Sequence, residues 1–167
     1  MTHRVIFLDI DGVLAPIRRW DRYGDLEPAC IQVLNEIVAG SGAEVVVSST
    51  WRLGKTVAEL QVMLEAAGFS GRVIGTTPVG PPGADRSDEI AAWLDAHRVA
   101  GYVIVDDHPT MGALRARLLL TDPGRGLQPA DAARAVRILR RPHRGAATGG
   151  AGHDGTARTR PGDPPAI

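Results

Sequence analysis

Near the start of the chain an apolar run stops abruptly at two acids: Arg4-Val5-Ile6-Phe7-Leu8-Asp9-Ile10-Asp11-Gly12-Val13-Leu14. Val5 to Leu8 are all apolar, with β-branched and aromatic types among them, as in a strand buried on both faces. In a strand, residues i and i+2 point the same way, so Asp9 and Asp11 are expected to project into one small volume where the strand ends. Gly12 allows a sharp turn directly after them. Two like charges held that close are costly unless a cation sits between them. For an all-oxygen ligand set the expected ion is magnesium. A calcium loop of the EF-hand type is excluded by spacing. It needs Gly at position six and Glu at twelve, whereas counting from Asp9 the glycine falls at four and position twelve is Trp20.

The rest of the chain alternates helix and strand patterns. Ala15 to Glu27 is a polar loop that hangs off the carboxylate pair and mixes Arg18, Arg19, Trp20, Arg22 and Tyr23. These residues are candidate contacts to a phosphorylated ligand or a base. Pro28 to Ala39 carries a helical stripe of Ile31, Leu34, Ile37 and Val38, and Pro28 suits its first position. Glu44 to Val47 is a second buried strand, ending in Ser48-Ser49-Thr50-Trp51-Arg52. Hydroxyls at such a strand end, with free backbone N–H groups beside them, form a natural phosphate cradle. Thr56 and Glu59 fit a capping box that opens a helix to Ala67. Arg72 to Ile74 is a short strand, and Asp85-Arg86-Ser87 opens a helix whose apolar stripe holds Ile90, Trp93 and Leu94. Tyr102 to Val105 is a further buried strand and runs directly into Asp106-Asp107. A last strand, Leu118 to Leu120, and a helix, Pro129 to Arg140, follow. This alternation predicts a parallel sheet covered by helices on both faces, with every candidate residue at a strand end, where ligands bind in such sheets.

Composition narrows the classes. The 167 residues suffice for one domain with a real core. From Pro142 to Ile167 the chain turns rich in Gly, Ala, Pro, Thr and Arg with no apolar period, so 1–141 is read as the domain and 142–167 as a disordered tail. Nineteen basic residues balance nineteen acidic ones, so no global charge points to nucleic acid. No apolar run reaches membrane-spanning length, and the single cysteine, Cys30, rules out a disulfide framework. A cytoplasmic setting is expected from both.

The Asp9-x-Asp11-Gly12 string resembles the first signature of the haloacid dehalogenase-like (HAD) phosphohydrolases. In that superfamily the first Asp attacks phosphorus and the second is the general acid/base. The resemblance implies the same roles for Asp9 and Asp11. Ser48, with Ser49 beside it, matches the hydroxyl that ends the superfamily's second strand and contacts phosphate. Asp106-Asp107 matches its acidic fourth signature and, with Asp9 and Asp11, implies a magnesium site. The third signature is a Lys or Arg that holds the transferring phosphoryl group. Lys55, the only lysine, lies outside that region. Arg86, at the start of the right helix, is favoured over Arg52. One departure is plain: many members carry another Asp four residues after the invariant acid, and Met111 stands there.

Asp9-x-Asp11-Gly12-Val13-Leu14, Ser48-Ser49-Thr50-Trp51-Arg52, Arg86 with Glu89-Ile90 and Trp93-Leu94, and Gly126-Leu127 look most like the HAD domain of Swiss army knife RNA-repair proteins. The gaps between signatures hold no cap domain. The implied fold is a three-layer, Rossmann-like, capless α/β domain. The implied activity is magnesium-dependent phosphomonoester hydrolysis through an aspartyl-phosphate, with 3′-phosphate ends of nucleic acid as the substrate to test first. Arg18, Arg19, Trp20, Arg22, Trp51 and Arg52 are its candidate contacts. A small phosphorylated metabolite is the alternative substrate, and a non-catalytic phosphate-binding or regulatory module is the alternative of another class.

Overall fold

Five parallel strands form one sheet in the order β3-β2-β1-β4-β5 in a computed structural model that describes residues 3–19 and 24–144. The strands are β1 (His3–Leu8), β2 (Glu44–Val47), β3 (Val73–Thr76), β4 (Val99–Asp106) and β5 (Leu118–Leu120). The helices are α1 (Pro28–Ser41), α2 (Val57–Ala66), α3 (Arg86–Ala96) and α4 (Pro129–Arg140). Short 3-10 segments cover Thr50–Arg52 and Gly112–Arg117. The chain winds outward from β1 through β2 to β3, then returns to lay β4 on the other side of β1. The order reverses between β1 and β4, and it is at such a reversal that α/β sheets open a crevice for ligands.

Strand alternation divides the core in two. Ile6, Leu8, Val45, Val47, Val103 and Val105 pack with Ile31, Leu34 and Ile37 of α1, Leu60 and Leu64 of α2, and Ala135 and Leu139 of α4. Val5, Phe7, Val46 and Ile104 face the other way, against Ile90 and Trp93 of α3 and Met111. Trp93 meets Phe7 edge-on, with ring centroids 5.3 Å apart. The expected three-layer arrangement with helices on both faces is therefore present. Between β1 and β4 the described residues belong to the sheet, its helices and their connections, with no inserted domain among them.

Several boundaries differ from the sequence reading. Helix α1 continues through Gly40 to Ser41 and stops at Gly42, whose φ of 66° is left-handed and whose N–H returns to the Val38 carbonyl. Strand β4 begins at Val99, not Tyr102, because Val99 pairs with His3 and Gly101 with Arg4 of β1; Gly101 lies under the Leu139 carbonyl at the end of α4, where a side chain would not fit. The capping box of α2 is as expected: Glu59 N–H donates to Thr56 Oγ1 at 3.2 Å, and Thr56 N–H donates to Glu59 Oε2 at 2.7 Å. Past the expected domain boundary at 141, His143 N–H still donates to the Ala100 carbonyl at 2.9 Å, and Arg117 donates to the Pro142 carbonyl at 2.8 Å. The remainder of the expected tail, from 145 on, lies outside the described residues, as do Trp20, Arg22 and Tyr23 of the first loop. Among the described residues no helix is long and apolar enough to cross a membrane.

Candidate active site

The parallel register places three strand ends side by side. Leu8 pairs with Val47 on one side and with Val105 on the other, so Asp9, Ser48 and Asp106 follow at one edge of the sheet. Each continues the face that carries Phe7, Val46 and Ile104, which is the face covered by α3. Helix α3 begins at Arg86, its first turn closed by Asp85 and Asp88 in a capping box, and this start delivers Arg86 to the acids. Arg86 Nη1 lies 2.9 Å from Asp9 Oδ2 and 2.6 Å from Asp106 Oδ2. The other oxygen of Asp106 accepts the His108 N–H at 2.9 Å.

Asp9, Asp106 and Asp107 each offer an oxygen within 4.8 Å of the other two. Their electrostatics match a cation site. Burial first, and then Asp9 and Asp106, push the Asp107 carboxyl up to about 6. Burial and Asp9 also raise Asp106, with Arg86 opposing. Burial works against the charge on Arg86, but Asp106 and Asp9 outweigh it and hold the guanidinium above its usual range. Three hard oxygen donors, whose repulsion Arg86 offsets at Asp9 and Asp106 but not at Asp107, fit a magnesium ion.

Asp11 stands apart from that trio. The regular strand ends at Leu8, and the following turn, rather than strand alternation, sets the direction of Asp11. In this turn the N–H groups of Val13, Leu14 and Ala15 all converge on the Ile10 carbonyl. Asp11 Oδ2 accepts the indole N–H of Trp51 at 2.9 Å. Burial raises its pKa most, the Trp51 bond opposes this, and Asp9 adds to the rise. Thr121 Oγ1 donates to the Gly12 carbonyl at 2.8 Å and Leu127 N–H donates to the Val13 carbonyl at 2.8 Å, so the turn is fastened to the β5–α4 connection.

The recess at this edge, about 280 Å³, is lined by Asp9, Asp11, Thr50, Ala84, Asp85, Arg86, Asp107, His108 and Thr110. A larger groove of about 690 Å³ runs beside Trp93, His97 and β3, but its walls carry no carboxylate. Ser48 is fully buried behind the recess, and its Oγ has no hydrogen-bond partner, nor does Asp11 Oδ1. Ser49 Oγ is engaged, accepting the Trp51 main-chain N–H at 3.2 Å.

The two arginines weighed for the phosphoryl contact part company here. Arg86 faces the acids. Arg52 is buried away from them, with its Nη2 2.6 Å from Glu89 Oε2 and its other N–H groups on the carbonyls of Ser48, Ser49, Thr77 and Pro78. Of the candidate substrate contacts, Trp51 borders Asp11, while Arg18 pairs with Glu27 at 3.1 Å and lines a separate recess together with Arg19. Met111 is buried in the α3-side core, so the position of the missing acid is apolar here.

Thr50, Asp85, His108 and Thr110 are lining residues that the sequence reading did not single out. Their signal was adjacency alone, since Thr50 closes the hydroxyl run after β2, Asp85 precedes Arg86, and His108 follows the paired acids.

No curated protein and no solved structure matches the chain. A family model described as the HAD domain in Swiss Army Knife RNA repair proteins matches residues 5–132. This span runs from β1 into the first turn of α4 and takes in every acid around the recess. With the greater part of the chain matched and its acids gathered at the strand ends, the protein belongs to the family of HAD domains found in Swiss Army Knife RNA repair proteins.

Proposed function

We propose that this protein is a magnesium-dependent phosphomonoester hydrolase that works through an aspartyl-phosphate on Asp9 and acts on phosphorylated ends of nucleic acid, 3′-phosphates first. The family indicates a hydrolase or phosphatase. One observation carries the finer reading: a buried aspartate at the end of the central strand, ion-paired with Arg86 and grouped with Asp106 and Asp107. A carboxylate so held is aimed at the recess and needs only an electrophile in line.

In this reading Asp9 attacks phosphorus and Asp11 protonates the departing oxygen, then takes a proton from the water that hydrolyses the intermediate. Arg86 offers guanidinium N–H groups to the phosphoryl oxygens, and Ser48 Oγ, buried at the end of β2 without a partner, is the further donor in this reading. Magnesium, when bound, supplies charge neutralisation, and Asp9, Asp106, Asp107 and the Asp11 carbonyl would hold it. The lone, buried Cys30 fits a reducing compartment, which supports a cytoplasmic setting.

A second reading, hydrolysis of a small phosphorylated metabolite, draws support from two arginines. Arg18 is turned onto Glu27 and Arg52 onto Glu89, so neither offers an unpaired guanidinium to a polynucleotide backbone. The deciding assay compares 3′-phosphorylated oligonucleotides, 5′-phosphorylated oligonucleotides and a panel of sugar and nucleotide monophosphates, with and without magnesium. Preference for a 3′-phosphorylated oligonucleotide, with affinity falling steeply as salt rises, supports the first reading. Higher kcat/KM on a metabolite supports the second. Phosphate binding without turnover points to a non-catalytic module, and near wild-type activity in Asp9→Asn removes the aspartyl-phosphate mechanism.

A further inference from the structure

We propose that the groove walled by Trp51 and Lys55, next to the recess, seats the terminal nucleoside of a 3′-phosphorylated nucleic acid: the base stacks on the indole, and the next backbone phosphate meets the Lys55 ammonium. The proposal rests on the reading above, in which the transferred phosphoryl group sits at Asp9 and Arg86.

Space sets the direction of the substrate. At about 280 Å³ the recess falls short of the roughly 300–1,000 Å³ that seats a drug-sized molecule. It has room for a phosphoryl group and a metal ion, so the body of the substrate must lie outside it. A second groove, of about 500 Å³, is lined by Asp11, Thr50, Trp51 and Lys55. Asp11 and Thr50 are walls of both spaces, which therefore adjoin. The groove beside Trp93 shares no lining residue with the recess, and neither does the one at Arg18 and Arg19. A substrate held by its phosphoryl group at Asp9 thus continues past Thr50 and onto Trp51.

Trp51 is half-buried: it packs against the α1-side core and also lines the groove. Its indole N–H is already engaged, donating to Asp11 Oδ2 at 2.9 Å. An indole has no other polar group, so what remains for a ligand is its π surface. Such a surface takes any nucleobase, because every base has a face to stack. The platform is also preset. The Trp51 main-chain N–H donates to Ser49 Oγ at 3.2 Å, and Arg52 beside it donates to the carbonyls of Ser48 and Ser49, each at 3.0 Å. With backbone and ring both tied, little conformational freedom is left to lose on stacking.

Lys55 supplies the charge. Its Nζ donates to the Trp51 carbonyl at 3.2 Å, which keeps the exposed ammonium close to the indole. One of its three N–H donors is used there, and two are left for an anion. Glu59, at the start of the helix that follows, is occupied by Thr56, whose N–H and Oγ1 donate to its Oε2 at 2.7 and 3.0 Å. Arg18 and Arg52 are turned onto Glu27 and Glu89. The cation beside this groove is therefore a lysine, a point charge on a flexible stem that can follow a backbone phosphate. An aromatic surface and a cation side by side match a nucleoside with a second phosphate. A sugar monophosphate has neither a ring to stack nor a second phosphate to bind.

The test measures Kd in the full chain carrying Asp9→Asn, which forms no phospho-enzyme, with magnesium present. The probes are a 3′-phosphorylated tetranucleotide of adenine and the same oligomer with a tetrahydrofuran in place of its 3′-terminal nucleoside. Removing the terminal base should weaken binding by about 5- to 150-fold, the worth of one base–aromatic stack. Trp51→Leu should cost a similar factor on the intact oligomer beyond its effect on the base-free one, since releasing Asp11 touches both probes alike. Lys55→Met should flatten the fall of log affinity with log salt by about 0.7, the share of one single-strand phosphate. The base-free probe tests the stack with position 51 unchanged, and Lys55 is exposed, so neither measurement depends on a core replacement. No loss on removing the base, equal losses on both probes in Trp51→Leu, or an unchanged salt slope in Lys55→Met would overturn the proposal. Failure of the underlying reading has its own signature: the unsubstituted protein would show higher kcat/KM on a sugar monophosphate than on the intact oligomer, and the subsite would fall with its substrate.

Discussion

A β-carbon added to Gly12 would run into the Asp107 carboxylate, with Asp107 Cγ only 2.7 Å away. Gly12 also has a φ of 75°. The glycine therefore serves two ends: it turns the chain after Asp11, and it lets Asp107 come close against the turn. Gly12→Ala should displace Asp107 from Asp9 and Asp106. We expect kcat/KM to fall on the order of 10²-fold, as for misplacement of a reacting group by about 1 Å. Gly54→Ala is the control. Its φ is 72°, but nothing lies within 4 Å of the added carbon. Both variants should lose about 1–2 kcal/mol of stability from the left-handed backbone, and only Gly12→Ala should lose activity and magnesium affinity. Equal activity losses in both would mean that backbone strain, not the Asp107 contact, is responsible.

Arg52 and Arg86 should fail differently. Arg52 closes a buried pair with Glu89, whose other carboxylate oxygen accepts the Gly80 N–H at 2.9 Å. Arg52→Met leaves Glu89 and four carbonyls without their partner, a loss of about 3–5 kcal/mol for a broken buried pair. Denaturant unfolding should show it. Arg52→Met with Glu89→Gln should recover part of the loss, and the carbonyls of Ser48, Ser49, Thr77 and Pro78 account for the unrecovered part. Arg86→Met should instead depress kcat/KM by roughly 10²–10³-fold, the scale of a lost preorganised donor. A larger catalytic loss in Arg52→Met than in Arg86→Met, measured on folded protein, would reverse the assignment of the phosphoryl contact.

What the sequence disclosed and what it hid follow from the range of each interaction. Val5 to Leu8, Val45 to Val47 and Tyr102 to Val105 are buried on both faces, so their composition alone marked them as strands, and the acids after them marked the sheet edge. Thr56 and Glu59 are three residues apart and announced their capping box. The Trp51–Asp11 bond spans forty residues and exists only because β2 lies beside β1. The burial of Arg52 likewise depends on Glu89 arriving from α3. The early start of β4 was hidden because Gly101 interrupts the apolar run, and its pairing with Arg4 exists only once β1 lies beside it.

Magnesium binding should strengthen as pH rises through about 6. The Asp107 carboxyl is pushed up to about 6 in the folded, metal-free protein, by burial first and then by Asp9 and Asp106, against an ordinary value of 3.8. The folded state thus holds this proton more tightly than the unfolded chain does. Its favourable contribution is complete below the unfolded value and disappears as pH climbs through the folded one. Magnesium requires the deprotonated form, so it competes with that proton below about pH 6 and not above it. Melting curves at about pH 5, 6 and 7.5, each with and without magnesium, should show a metal-induced rise in Tm that grows with pH. The metal-free Tm should lose this group's contribution over the same range. A rise in Tm of equal size at all three pH values would show that Asp107 is not among the ligands.

Met111 tests whether the acid found at this place in many HAD proteins could act here. Its side chain is buried with Phe7, Ile90 and Trp93 on the α3 side, one face of the sheet away from α1 and α4. Met111 also starts the 3-10 segment Gly112–Arg117, and the Leu114 N–H returns to its carbonyl at 2.9 Å. A carboxylate placed there would enter an apolar core with no partner. Met111→Asp should therefore cost on the order of 3 kcal/mol or more, in the range for burying an unpaired polar group in place of packed apolar surface. Met111→Leu, close in volume, should cost less than about 1.5 kcal/mol. Urea unfolding separates the two. Magnesium titration of Met111→Asp at low temperature, where the folded form persists, should show no gain in affinity over the parent. If the variant instead keeps its stability and binds magnesium more tightly, position 111 can swing to the Asp107 side, and an acid there can add to the metal site.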